Sequence, residues 1–239
     1  LTANFYFAKL KKIFSKAGIV MELIDKARKM FRRDPVLKRR VIGIFVAHII
    51  MGLGVNLLRV SLFGNDPFSC MMLGFSGTFG MSYGTLVVMF NLVAIVPIFI
   101  LDRSYIQFGT LVNMFMFGPI VDAWFAVLIY FFPVLGNLAM FGRVMCLIAG
   151  VVICCFGASM YMTTNLGMGP YDAIGWIIEK KTNKKVPFKY ARIGIDSAST
   201  ITGFIFGSIV SLGTFTMALG TGPLVVFFTE NINKKLIYG

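Results

Sequence analysis

The chain has 239 residues, 57% of them hydrophobic and 14% charged, with 25 Phe and 15 Met. Soluble domains carry roughly 25% charged residues, so the composition excludes a soluble globular protein and points to one membrane domain. The net charge of +13 does not mark a nucleic-acid binder, because twelve of the 23 Lys and Arg lie in residues 1–40, ahead of the first apolar span, and no RNA or DNA motif accompanies them.

Residues 1–40 open on Leu rather than Met, as a trimmed start would, and their charges are spread where a signal peptide has a clean apolar core. Phe7, Leu10, Phe14, Ala17, Met21, Ile24 and Phe31 recur at steps of three and four, with Arg28 filling one step. That spacing predicts an amphipathic helix in the cytoplasmic headgroup region, its Lys and Arg against anionic lipids. A helix that docks a partner protein would show the same pattern.

Six apolar spans follow at 41–62, 83–101, 108–131, 141–164, 188–209 and 210–229, each near the ~20 residues a bilayer requires. The last two are separated by almost no loop. Apolar pieces at 67–77 and 170–179 are too short to cross. They either re-enter the membrane or lie at its surface as lids. With the N-terminus in the cytoplasm, six crossings leave only Arg59 and Arg143 on the outer side and all other basic residues inside. The asymmetry predicts cytoplasmic termini.

The chain also repeats itself. GTLVNMFMFGP at 109–119 returns as GTFTMALGTGP at 213–223, 104 positions later. Gly54, Gly64 and Pro67 match Gly157, Gly167 and Pro170 at an offset of 103, and Arg40-Val41 matches Arg143-Val144. Three crossings per unit is an odd number, so the copies are expected to be inverted: an all-α membrane fold of two three-helix repeats, each with a short extra helix. The expected divisions are 1–40, the basic segment; 41–132, the first repeat; and 133–239, the second repeat with a short cytoplasmic tail. Inverted repeats with interrupted helices are common in secondary transporters. A duplication with a purely structural role is the alternative.

Proline inside a helix removes an amide and frees a carbonyl, so Gly118-Pro119 and Gly222-Pro223 are expected to bend or break their helices and to supply backbone groups to a substrate. The third elements align at an offset of 105, which sets Asn91 opposite Asp196. Each lies eight residues into its helix from opposite sides, about 12 Å deep in a core about 30 Å thick. A carboxylate at that depth marks a substrate, ion or proton path unless Ser197, Ser199 or a backbone group holds it. Asp122, opposite Val226, breaks the symmetry and either serves transport or pairs with Arg59 or Arg143. Asp66 and Asp172 lie beside Pro67 and Pro170, where helix N-termini could meet negative groups of a substrate. His48 is either hydrogen-bonded within the bundle or a proton relay. Cys70, Cys146, Cys154 and Cys155 lack metal-ligand spacing and read as packed thiols.

LGMGPYDAIG at 166–175, its earlier copy LFGNDPF at 62–68, GTLVNMFMFGPIVD at 109–122 and GTFTMALGTGP together resemble the YitT/YczE-type family of bacterial integral membrane proteins, over roughly residues 41–230. Some members carry a C-terminal soluble domain; this chain is more similar to the YczE-type branch. The resemblance implies a bacterial inner-membrane location and no particular substrate. No catalytic motif appears, so neither an enzyme nor a cofactor or metal is expected. The expected function is a secondary transporter or facilitator of a small solute or ion, with Asp196 and Asn91 at a midplane site. The rival is a membrane accessory protein that docks a partner through its basic N-terminal helix. Oligomeric state is left open.

Overall fold

The structure is a computed structural model and describes residues 34–239; the amphipathic stretch expected over 7–31 lies outside them. The chain divides into two compact units, residues 1–40 and 41–239. Of the first, the described part is a helix start. Asp34 accepts from the amides of Val36 and Leu37 at 2.9 and 3.1 Å and so caps α1, Pro35–Ser61.

The described residues are helical or irregular, without strands. After α1 come α2, Pro67–Phe79; α3, Tyr83–Leu101; α4, Phe108–Phe131; α5, Met140–Thr163; α6, Pro170–Lys181; α7, Phe188–Ile205; and α8, Leu212–Phe228. A π-helical turn, Thr229–Asn233, leads from α8 into α9, Lys234–Tyr238. Proline opens both short helices, α2 and α6, where its missing amide costs nothing.

Five helical runs are long and apolar enough to cross a membrane: α1, α3, α4, α5 and Leu212–Tyr238. Helix α7, expected as a sixth span, is not among them, because Lys189, Arg192 and Asp196 interrupt its 18 residues. Nor do the last two helices abut as expected: residues 206–211 separate them. Neither Gly-Pro pair breaks its helix. Helix α4 runs through Pro119 and α8 runs through Pro223. One lost hydrogen bond does not break a helix whose remaining ladder has no water to compete with it.

The two halves meet through exchanged contacts. The Gly109 amide donates to the Leu166 carbonyl at 2.7 Å, and the Gly213 amide donates to the Phe63 carbonyl at 2.7 Å. These four residues are two pairs of counterparts, each bonded across to the other half. Helices α1 and α5 cross in the same reciprocal way. A methyl group on Gly54 would lie 2.6 Å from the Cys154 nitrogen, and one on Gly157 would lie 2.9 Å from that of Met51, the counterpart of Cys154. The turns entering α2 and α6 match as well, with positive φ at Leu62 and Gly64 and at their counterparts Asn165 and Gly167.

Neighbours fix the course of the short helices. Along α2, Phe68 touches Tyr171, whose hydroxyl bonds Asp196 of α7, Gly74 packs on Gly203 and Thr78 bonds the Phe206 carbonyl, so α2 runs parallel to α7. Along α6, Tyr171 approaches Phe90, Ala173 and Ile177 pack on Ile98, and Lys180 pairs with Asp102, so α6 runs parallel to α3. Each short helix starts level with the middle of its long neighbour and ends at one end of the bundle. Lys180 and then Ser104 hold the Asp102 carboxyl well below the usual carboxylate range.

The α1–α5 crossing can be tested by overpacking. Gly54→Ala should lower stability by about 1–3 kcal/mol, seen as a lower unfolding temperature in detergent. Gly77→Ala, where a methyl group meets nothing, should leave that temperature unchanged or raise it.

Candidate functional site

The first turns of α2 and α6 meet at the centre of the bundle. Phe68 and Tyr171 are counterparts, and their rings lie 4.9 Å apart; Phe90 of α3 closes the aromatic group at 5.4 Å from Phe68. The chain must be non-helical just before each short helix, and it arrives there with buried Gly64 and Asn65 on one side and buried Thr164 on the other. Asp66 caps α2 by accepting the Ser69 amide at 3.1 Å. Ser69 in turn shares a hydrogen bond with the Tyr83 hydroxyl at 3.0 Å.

Charge gathers beside this contact. On α7, Arg192 donates through Nε to Asp196 one turn further on, at 3.0 Å, and through Nη1 to Asp172 in the first turn of α6. Its guanidinium also stands over the Tyr171 ring, 4.8 Å from the centroid. The Tyr171 hydroxyl donates to Asp196 Oδ1 at 2.7 Å and lies 3.1 Å from the Ser199 hydroxyl. The side chains of Arg192, Asp172 and Asp196 are 32%, 27% and 21% exposed, so all three are only partly buried. One guanidinium serves two carboxylates, which leaves one negative charge in excess.

Of the residues singled out in the sequence, Asp196 and Asp172 are thus joined through Arg192, and Asp66 lies within electrostatic range of Arg192 and Asp196. Asn91 is buried beside Phe90, and no hydrogen bond joins it to Asp196 among the described residues. Asp122 accepts the Gly84 amide at 2.9 Å, and none of the described ion pairs joins it to Arg59 or Arg143. Instead Arg59 stacks on the Phe125 ring at 3.6 Å, and Arg143 donates to the Leu138 carbonyl at 3.1 Å. Gly118 packs on Gly84, while Pro119 and Asp122 line a groove of about 420 Å³ at that contact. Gly222 and Pro223 are exposed on α8.

His48 is hydrogen-bonded within the bundle, as one of the two expectations had it: Nδ1 lies 2.6 Å from the Ile44 carbonyl and Nε2 lies 3.3 Å from the Asn113 amide. The four cysteines are free, three of them buried. No metal-binding cluster of His, Cys, Asp or Glu occurs among the described residues.

Sequence reasoning passed over Arg192 and Tyr171. Arg192 was grouped with the flanking lysines, although its place four residues before Asp196 on a helix predicts that pair. Tyr171 was legible as the polar counterpart of Phe68.

Residues 38–230 match the model of a family of unknown function, DUF6198. The chain belongs to this family. It is 24% identical to the uncharacterized membrane protein YczE of Bacillus subtilis strain 168, over 81% of this chain and 87% of that one. It is 27% identical to the uncharacterized protein YyaS of the same organism, over 75% of this chain and 87% of that one. An uncharacterized protein of Haemophilus influenzae is 23% identical over 77% and 81%. No solved structure matches. The resemblance to YczE-type bacterial membrane proteins therefore holds, and with its apolar helices the chain is an integral membrane protein of all-α fold.

Removing the shared cation should expose its role. Arg192→Met leaves two part-buried carboxylates facing each other and should cost about 1–3 kcal/mol, below the figure for a fully buried pair because the group is partly solvated. Adding Asp172→Asn should recover part of that loss. The measurement is a double-mutant cycle by thermal unfolding.

Proposed function

We propose that the protein is a secondary transporter or facilitator of a small solute, with its site where α2 and α6 meet. The observation that carries this reading is the central contact of two short helices beside the Arg192, Asp172 and Asp196 cluster. Half-helix N-termini and intramembrane charges at a repeat interface are the usual substrate sites of such proteins.

In this reading the fold is two inverted three-helix repeats, α7 being the sixth crossing despite its charges. Helices α2 and α6 re-enter the membrane from opposite faces. Both termini lie in the cytoplasm of a bacterial cell, the membrane is the inner one, and residues 1–40 rest on anionic lipid. The exchanged contacts between counterparts support the inversion. The placement of Arg103, Lys180 and Lys181 at one end of the bundle supports the orientation.

An inequality between the halves supports movement. In the first half Gly84 and Gly118 touch and Asp122 ties them together. The counterparts are Lys189, Gly222 and Val226. A methyl group on Gly222 would meet nothing within 4 Å, and Val226 is 61% exposed. One end of the bundle is clamped and its equivalent is open, as expected of a protein that alternates between two such arrangements.

The test is uptake into proteoliposomes. Asp196→Asn should abolish it while the variant still inserts and unfolds at a normal temperature. Wild-type uptake by that variant would remove the carboxylate from the mechanism.

A further inference from the structure

Asp122 is a carboxylate that the symmetric frame does not require. Its counterpart is Val226, and the counterpart of Gly84, whose amide it accepts, is Lys189. One oxygen is accounted for: Oδ2 takes the Gly84 amide at 2.9 Å, in a first turn of α3 where Ser82 already caps the Thr85 amide. The other, Oδ1, has no partner among the described hydrogen bonds and ion pairs. Arg59 lies within electrostatic range, but its guanidinium is held over the Phe125 ring, 3.6 Å from the centroid, and makes no ion pair with Asp122. A tether to Gly84 needs one oxygen and no charge, so an asparagine would serve it.

The carboxylate faces open space. Asp122 lines a groove of about 420 Å³ between α3 and α4, together with Gly84, Thr85, Val88, Met89 and Pro119. That volume lies within the roughly 300–1,000 Å³ of small-molecule sites, which are mostly apolar with a few placed polar groups. Val88, Met89 and the Pro119 ring supply the apolar wall, and Asp122 is the only charged residue among the six. Pro119 contributes in a second way. It has no amide to offer the Phe115 carbonyl, and a helical carbonyl points along the axis to the residue four places on. An acceptor without its helical donor therefore abuts the same wall.

The lining narrows what could occupy the groove. An anion would be repelled, and a neutral apolar guest would leave the free carboxylate oxygen facing hydrocarbon, which is costly. A cation with N–H donors and an apolar body meets the carboxylate and the wall together.

We propose that the groove between α3 and α4 binds a small amphipathic amine. Its ammonium donates to Asp122 Oδ1, and its apolar body lies along Val88, Met89 and Pro119. None of these residues belongs to the Arg192 cluster, and the binding stands whether or not the protein transports.

The experiment is thermal unfolding of the purified full chain in detergent at neutral pH, titrated with hexylamine and, at equal concentration, with hexanol and hexanoate. Hexylamine should raise the Tm in a saturable way, and its uncharged and acidic matches should not. Asp122→Asn keeps an oxygen for the Gly84 amide and loses the charge. It should weaken amine binding by roughly tenfold or more, the loss of a hydrogen bond to a charged group, with the ligand-free Tm close to wild type. Should that variant fail to fold, Met89→Trp decides: Met89 is 49% exposed, and the larger ring fills the groove and should abolish binding. No saturable shift with hexylamine, an equal shift with hexanol, or amine binding indifferent to both variants overturns the proposal. A shift with phosphatidylethanolamine in the same micelles and none with hexylamine assigns the groove to a lipid headgroup and also overturns it. Amine binding that is lost in Asp196→Asn and kept in Asp122→Asn belongs to the central cluster, and overturns the groove while leaving the transport reading.

Discussion

Two hydrogen bonds hold the parts of this protein that an apolar environment tolerates least. Residues 62–66 and 164–169 are non-helical and lead into helices that begin at the centre of the bundle. Irregular backbone inside an apolar bundle survives only where protein covers it and meets its polar groups. Each segment is met by the opposite half, Phe63 by the Gly213 amide and Leu166 by that of Gly109. Neither half can therefore satisfy its own backbone. That dependence accounts for the recurring Gly-Thr at 109–110 and 213–214, where a side chain at the glycine would meet the incoming loop.

The same dependence explains why the frame is symmetric while its contents are not. The exchanged bonds, the α1–α5 crossing and the positive-φ turns need matched residues in both halves, and Gly54, Gly64, Gly157 and Gly167 supply them. Nothing in that frame constrains the side chains that line the centre. There the halves diverge: Asp66 against Gly169, Ser69 against Asp172, Phe68 against Tyr171, Asn91 against Asp196. Every departure but the first places the more polar or more acidic residue in the second half, beside Arg192.

Much of the frame was legible in the sequence, because apolar length and repeated glycines act through local rules. The helices at 83–101 and 108–131 follow from hydropathy, and the starts of α2 and α6 follow from Pro67 and Pro170. The Gly-Pro pairs left open whether their helices bend or break. Proline predicts a break from the cost of one hydrogen bond, but the fate of the helix is set by the environment of the rest of its ladder. The site was legible only in part. Asp196 stands out by its depth and Asp172 by its turn, yet Arg192 reads as one more basic residue of the cytoplasmic side. Its second partnership, with Asp172, depends on α6 lying parallel to α3 with its first turn at the level of Asp196, which is a tertiary fact.

Energetics favour a role other than stability for the charged cluster. An ion pair withdrawn from water repays little of its desolvation cost, and well-packed apolar residues of similar volume would often serve as well or better. The first half demonstrates this: at the position of Arg192 it has Val87, fully buried in the apolar core. A fold that closes one half with hydrocarbon and keeps a guanidinium and two carboxylates in the other is not limited by packing. What the charges offer, and Val87 does not, is a part-exposed polar centre between helices whose counterparts are closed by hydrocarbon.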